Sequence, residues 1–234
     1  MPDDIKQYLQ GLVSIIYPHL CAACGNVLFF NEQVLCLKCY ADLPRTGFHG
    51  NSENEVARLF WGRIPVRNAT SFIIFNKESR YRRILHELKY KGQHQVGTEM
   101  GRLFGLELKG TPFADVDIIH PVPLHPSKLR KRGYNQSELI AKAIAEVLHV
   151  TVVSDLIIRS VETKTQTRKS RYERWENVRD TFHVQFPESL RDKHVLLVDD
   201  VITTGATIEA CAGALLAISG VTVSIASLAY AKLQ

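Results

Sequence analysis

The stretch Val195-Leu-Leu-Val-Asp199-Asp200-Val-Ile-Thr203-Thr204-Gly205-Ala206-Thr207 decides the fold of this chain. Its first four residues are apolar and predict a buried strand, which ends in two adjacent carboxylates. A turn of small and hydroxyl-bearing residues follows and opens a helix. Ligands of open α/β sheets bind outside the carboxyl ends of the strands. This order of elements therefore predicts a binding site at Asp199 and Asp200.

The chemistry of the stretch fits a sugar phosphate. In the turn of residues 203–207, backbone N–H groups can approach a ligand closely, hydroxyls add donors, and the following helix N-terminus favours an anion. Adjacent carboxylates suit the two vicinal hydroxyls of a ribose, or a magnesium ion. We therefore expect a sugar 5′-phosphate between the acids and the turn. The alternative is a core strand with a threonine helix cap, whose acids face water.

Strand and helix patterns alternate from residue 69 to the end of the chain, and the strands are continuous apolar runs. That alternation is typical of a parallel sheet with helices on both faces. Residues 46–68 are irregular, contain glycine and proline, and predict a linker with a short helix near residues 55–61. The chain has no Gly-Lys pair, no Gly-x-Gly-x-x-Gly and no Gly-x-Ser-x-Gly. Nucleoside triphosphatases, dinucleotide enzymes and serine hydrolases are therefore disfavoured.

The composition is that of a globular protein: 234 residues, 45% hydrophobic and 23% charged. No apolar stretch approaches the roughly 18 residues of a spanning helix, and the first residues are acidic where a signal peptide would be basic. We therefore expect a cytoplasmic protein without a transmembrane segment. The net charge of +5 suits anionic ligands such as phosphates or nucleic acid but does not require them.

Four of the five cysteines form two Cys-x-x-Cys pairs, Cys21 with Cys24 and Cys36 with Cys39. This spacing is typical of zinc held by four thiolates, and a redox pair or disulfides are the alternatives. Four sulfur ligands leave no open position, so the zinc would hold the fold and do no chemistry. We expect residues 1–45 to form an amphipathic helix and this zinc-binding ribbon. Cys211 lies on the apolar face of a predicted helix and is expected in the core.

Two other segments carry much of the positive charge. A proline-rich loop at residues 120–126 precedes the basic residues 128–132, which suits pyrophosphate, although a solvated basic face has the same composition. Residues 159–179 contain seven lysines and arginines. They fit either a lid over a polyphosphate or a surface that follows a nucleic-acid backbone. Lys89-Tyr90-Lys91-Gly92 fits the basic end and glycine cap of a helix.

The 195–207 stretch resembles the phosphoribosyl-pyrophosphate (PRPP) signature of type I phosphoribosyltransferases. In that family the paired acids contact the ribose hydroxyls and the turn wraps the 5′-phosphate. The resemblance therefore assigns the ribose to Asp199 and Asp200. It assigns the phosphate to the turn residues Thr203, Thr204, Gly205, Ala206 and Thr207.

The two basic segments narrow the resemblance to the ComF family (ComFC/GntX type), and with the four cysteines it covers nearly the whole chain. The first resembles that family's pyrophosphate loop and implies contacts from Pro121, Val122, Pro123, Leu124, Arg130 and Arg132. The second resembles its mobile hood loop, at about residues 159–181, and implies contacts from Arg159, Gln166, Arg174, Asn177 and Arg179.

The resemblance implies a type I phosphoribosyltransferase-like parallel sheet at residues 69–234, preceded by a small zinc-ribbon module. It implies PRPP with Mg²⁺ as ligand, and displacement of pyrophosphate from C1 of the ribose by an acceptor that the sequence does not identify. ComF proteins are linked to DNA uptake in natural competence, with DNA-uptake machinery proteins as partners. The alternatives to that role are an active transferase in metabolism, a PRPP sensor without catalysis, and a single-stranded DNA-binding protein.

Overall fold

The structure, a computed structural model, describes residues 18–29, 31–76, 78–90, 92–159 and 182–232. The predicted amphipathic helix at the start of the chain lies outside these ranges. Among the helices in these ranges, none combines the length and the hydrophobicity of a membrane-spanning segment.

Within the described residues, seven strands form two sheets. They are β1 (Asn68–Phe75), β2 (Ile118–Pro121), β3 (Thr151–Val152), β4 (Ile157–Arg159), β5 (Phe182–Val184), β6 (His194–Ile202) and β7 (Thr222–Ala231). The main sheet has the order β1-β7-β6-β2-β3 and is parallel throughout, while β4 and β5 form a separate antiparallel pair. The prediction of a parallel sheet flanked by helices is confirmed, and β6 lies at its centre.

Helices cover both faces of the main sheet. They are α1 (Leu37–Ala41), α2 (Glu55–Arg58), α3 (Arg82–Tyr90), α4 (His94–Leu108), α5 (Pro126–Arg132), α6 (Gln136–Leu148) and α7 (Ala206–Leu216). Short 3₁₀ turns lie at Phe48–Gly50 and Pro187–Leu190. One core lies between the sheet and α3, α4 and α6, and the other between the sheet, α7 and the β4–β5 pair.

Helices α4 and α6 approach each other closely because α4 presents glycine at every fourth position, at Gly97, Gly101 and Gly105. A Cβ atom at Gly101 would lie 2.8 Å from the backbone oxygen of Ile140. The three glycines therefore allow helix α4 to pack closely along helix α6.

The basic residues 128–132 lie on helix α5, a helix that the sequence analysis does not predict. Pro126 begins this helix, and the His125 side chain accepts a hydrogen bond from the Ser127 N–H. Proline is favoured in a first helical turn because its missing N–H is not needed there. Gly133, with φ of 80°, ends α5, and helix α6 begins three residues later at Gln136.

The cysteine-containing segment shares a core with helix α3. Cys21 and Cys39 are fully buried, and the Tyr81 hydroxyl donates to the backbone oxygen of Asp42 at 2.8 Å. The N–H of Thr46 donates to the backbone oxygen of Phe72 in β1 at 2.9 Å. The expected boundary between a module at residues 1–45 and the sheet domain stays a prediction.

Candidate functional site

The predicted strand and turn lie where the sequence analysis expects them. Asp199 and Asp200 belong to the last part of β6, the strand ends at Ile202, and helix α7 begins at Ala206. Gly205 has φ of 79°, a left-handed conformation that glycine adopts without steric cost. The other turn residues are exposed: Thr203, Thr204, Ala206 and Thr207. The hydroxyls of Thr203 and Thr204 and the N-terminus of helix α7 are therefore accessible to a ligand.

Asp199 is held by the first turn of helix α6. Its Oδ1 accepts a hydrogen bond from Ser137 Oγ at 2.9 Å and another from the Asp200 N–H at 2.8 Å. Burial, together with the neighbouring charge of Asp200, raises the pKa of Asp199 to about 7. This carboxyl group therefore titrates near neutral pH, which makes it sensitive to any ligand that favours the ionised form.

Lys89 lies next to the carboxylate of Asp200, a position that the sequence analysis does not predict. Its Nζ is 2.9 Å from Asp200 Oδ2. The end of α3 that carries Lys89 is anchored by Tyr134, whose hydroxyl donates to the backbone oxygen of Leu88. The Lys-Tyr-Lys-Gly pattern predicts only the basic end of a helix and does not by itself mark Lys89 as a site residue.

The predicted pyrophosphate loop begins beside Asp199. Pro121 ends β2, and the N–H of Val122 donates to the backbone oxygen of Val198 at 2.8 Å. The side chain of Asn135 donates to the Val122 oxygen at 3.0 Å and also caps helix α6. Pro123 and Leu124 follow and are half-buried. The loop and the Asp199-binding helix are therefore fixed to each other.

The two predicted arginines of this region lie on helix α5. Arg130 is exposed, whereas Arg132 is half-buried and donates from Nη1 to Gln136 Oε1 at 2.8 Å. Arg132 is thus directed towards the start of helix α6.

Of the predicted hood residues, Arg159 ends β4 and lies over the Phe182 ring at 5.2 Å. Its Nε is buried and has no hydrogen-bond partner in the part of the chain that the structure describes. Burial lowers the pKa of Arg159, and the negative charge of Asp199 opposes that change. Gln166, Arg174, Asn177 and Arg179 lie outside the described residues.

Cys211 is fully buried on the face of helix α7 that packs on the sheet. Burial raises the pKa of its thiol, and the charge of Asp199 acts in the same direction. Its environment is that of a core residue, as the sequence predicts.

The other four cysteines form a cluster able to hold a metal ion. The sulfur atoms of Cys21, Cys24, Cys36 and Cys39 all lie within 4.8 Å of one another. Cys24 Sγ and Cys36 Sγ are 3.8 Å apart. Four thiolates at a Zn–S distance of about 2.3 Å form a tetrahedron with edges of about 3.8 Å, so the cluster fits zinc.

Residues 135–233 match the family model described as the phosphoribosyl transferase domain. The matched region begins at helix α6 and includes β6, the turn and α7. The parallel sheet and this match together define the class of fold: a phosphoribosyltransferase-like parallel sheet flanked by helices.

Relatives give the more particular similarity. The chain is 32% identical to the DNA utilization protein YhgH of Escherichia coli O157:H7 over 146 residues, which cover 61% of this chain and 63% of that protein. It is 28% identical to Competence protein F of Haemophilus influenzae, over 54% of this chain and 57% of that protein. It is 29% identical to Competence protein ComFC of Bacillus subtilis, over 42% of this chain and 38% of that protein.

The matched region spans less than two thirds of the length of each of these relatives. The resemblance to the ComF family is confirmed by their names and by the cysteine cluster.

Proposed function

We propose that the chain binds PRPP at the carboxyl end of β6. Asp199 and Asp200 accept hydrogen bonds from the two ribose hydroxyls, and the turn of residues 203–207 surrounds the 5′-phosphate. The observation that supports this most is the order of elements along β6: two carboxylates, an exposed Thr-Thr turn with a left-handed glycine, and a helix N-terminus. Helix N-termini favour phosphate because their first N–H groups have no partner within the helix.

We assign the pyrophosphate to the loop that begins beside Asp199. Its residues are Pro121, Val122, Pro123 and Leu124, with Arg130 and Arg132 on the helix that follows. The hood contributes Arg159, Gln166, Arg174, Asn177 and Arg179. The support for this arrangement is the hydrogen bond from the Val122 N–H to the Val198 oxygen, which brings the loop next to the ribose carboxylates.

A transferase of this class displaces pyrophosphate from C1 of the ribose by an incoming nucleophile. The C1–O bond breaks, positive charge develops on the sugar ring, and the electron pair leaves with pyrophosphate. In our proposal Asp199 and Asp200 hold the ring in place while the arginines stabilise the charge on the departing group. Mg²⁺, bound with PRPP, would supply further neutralisation of the pyrophosphate.

We propose that the cysteine cluster holds structural zinc. Its support is the fit between the 3.8 Å sulfur separation and a tetrahedral zinc–thiolate site. Placed beside helix α3, this zinc stabilises the segment that carries Cys21 to Cys39 and takes no part in the chemistry.

A second candidate function is a role in DNA uptake, and the names of the relatives favour it. We propose that PRPP binding and a competence-linked role occur in one protein, with single-stranded DNA or proteins of the uptake machinery as partners. The test is affinity for single-stranded DNA as a function of salt. A protein that contacts several phosphates loses affinity steeply as salt rises.

The binding proposal is tested by melting the protein with PRPP and Mg²⁺. Ligand at about 100 times its Kd adds roughly 2.7 kcal/mol of stability, which a melting curve detects. Pyrophosphate release on adding an amine or a nucleobase would then identify a transferase. Stabilisation without release across a panel of acceptors would favour a sensor.

A further inference from the structure

Residues 54–64 precede the first strand, and their composition predicts part of a linker. In the structure their start is firmly attached. Asn54 Oδ1 accepts from the N–H groups of Val56 and Ala57 at 2.9 Å each, which caps helix α2. Asn54 Nδ2 donates to the backbone oxygen of Ala69 in β1 at 2.7 Å. This segment is therefore fixed to the sheet before it reaches the candidate site.

The segment packs against the turn between β6 and α7. Phe60 is fully buried, and a Cβ atom at Gly205 would lie 3.0 Å from Cε1 of its ring. The ring thus fills the space on the inner side of the turn. It leaves the exposed side, which carries Thr203 and Thr204, for a ligand.

Arg63 makes three hydrogen bonds, one within its own segment, one to the turn and one to helix α7. Its Nη1 donates to the backbone oxygen of Leu59 at 2.9 Å and to that of Thr204 at 3.1 Å. Its Nη2 donates to the carboxylate of Glu209, which lies in the first turn of α7. One guanidinium group therefore contacts its own segment, the turn and the helix.

The bond to Thr204 fixes the orientation of one peptide group. In a planar trans peptide the C=O and the N–H point in opposite directions. Because the Thr204 oxygen points at Arg63, the Gly205 N–H points away from it. The ion pair with Glu209 also neutralises a carboxylate next to the helix N-terminus, where its charge would repel an anion.

We propose that Arg63 is a positioning residue for the 5′-phosphate of a phosphoribosyl ligand. It holds the Thr204–Gly205 peptide and neutralises Glu209, so that the turn is preformed for a phosphate. This inference rests on the proposed function, because it assumes that the turn binds that phosphate. The competing account is an exposed ion pair that contributes a little stability and nothing to binding.

The experiment measures binding of two partial ligands by calorimetry, ribose 5-phosphate and inorganic pyrophosphate with Mg²⁺. The variant is Arg63→Met, and the matched control is Arg58→Met, an arginine of the same segment that lies over the Trp61 ring. We expect Arg63→Met to lower the affinity for ribose 5-phosphate about tenfold, which is the effect of losing one charge-assisted hydrogen bond. Affinity for pyrophosphate should stay within about twofold, and the control should bind both ligands like the wild type.

Arg63→Lys separates positioning from charge, and it serves if Arg63→Met does not fold. A lysine keeps the positive charge but lacks the planar fork that reaches both carbonyls and the carboxylate. We expect it to recover only part of the affinity for ribose 5-phosphate. Two results would overturn the role of Arg63 while leaving the proposed function standing. One is wild-type affinity for ribose 5-phosphate in Arg63→Lys, and the other is an equal loss of affinity for both ligands in Arg63→Met. If the wild type binds neither ligand, the proposed function fails and this inference fails with it.

Discussion

Lys89 and Asp200 form an ion pair at the candidate site, with Nζ 2.9 Å from Oδ2. The two side chains are 20% and 14% exposed, so solvent screens their attraction only partly. Helix α3 thereby supplies a cation beside the two carboxylates at the end of β6. PRPP is strongly anionic, and two carboxylates alone would repel it. Lys89 is therefore the described side chain best placed to offset that repulsion at Asp200.

Replacing Lys89 by methionine should weaken PRPP binding about tenfold, because a charge-assisted contact is lost and Asp200 becomes uncompensated. Calorimetric titration with PRPP and Mg²⁺ measures this. Lys142→Met is the control, since Lys142 is 58% exposed and pairs with Glu138 on the outside of helix α6. Tighter binding in Lys89→Met would mean that the lysine competes with the ribose for Asp200.

PRPP affinity should rise with pH up to about 7, because the ribose hydroxyls donate to Asp199 and favour its ionised form. The folded protein without ligand holds the Asp199 proton up to that pH, since burial and the charge of Asp200 raise its pKa to about 7. Binding at pH 6 should therefore release a proton. Calorimetry at pH 6 in buffers of different ionisation enthalpy measures the number released, and a value of zero would contradict this account.

The same pKa predicts the effect of Asp199→Asn on stability. A carboxyl group whose pKa is raised on folding stabilises the protein fully below its unfolded pKa, near 4, and this contribution is lost as pH rises through about 7. The asparagine variant should therefore gain stability relative to the wild type between pH 5 and pH 8. Melting curves at the two pH values measure the difference, and a gap that does not change with pH would argue against a raised pKa.

Gly205→Ala should destabilise the protein by about 1–3 kcal/mol, since it combines a left-handed backbone with a Cβ atom against the Phe60 ring. It should also weaken PRPP binding, because the turn must shift. Gly213→Ala is the matched control: it lies inside the same helix α7, nothing lies within 4 Å of its Cβ position, and alanine should stabilise it slightly. Equal melting temperatures for the two variants would refute the tight turn.

Cys24→Ser should lower the bound zinc and the stability of residues 18–45, because one of four thiolate ligands is lost. Metal analysis and hydrogen exchange measure the two effects, and Cys211→Ala, a cysteine outside the cluster, should keep its zinc. We expect the main sheet to stay protected from exchange. Loss of protection throughout the chain would instead show that the cysteine segment and the sheet unfold as one unit. The experiment distinguishes these outcomes for two parts of the chain that share a core beside Tyr81.

Much of the sheet, and the strand and turn of the candidate site, could be predicted because the relevant residues are contiguous. Asp199, Asp200 and the turn follow one buried strand, so local pattern and general rules for α/β sheets place them. Helix α5 was missed because its first turn depends on a proline and on the capping side chain of His125 within a segment that otherwise has the composition of a loop.

Lys89 and Arg63 could not be assigned from the sequence because tertiary packing brings them to the site. Arg63 contacts Thr204 from 141 positions away in the chain. Lys89 reaches Asp200 from the end of a helix whose composition is ordinary. Neither has a local pattern that distinguishes it from a surface cation, since the deciding information is which element packs beside which.

The measurement that tests the central proposal most directly is calorimetric titration of PRPP and Mg²⁺ into the wild type and the Asp199→Asn/Asp200→Asn variant. The control, Asp117→Asn/Asp192→Asn, removes the same charge at the opposite end of β2 and β6. We predict binding in the wild type and the control and none in the site variant, with all three proteins folded. Equal binding in the site variant, or none in the wild type, would contradict a ribose-phosphate site at the end of β6.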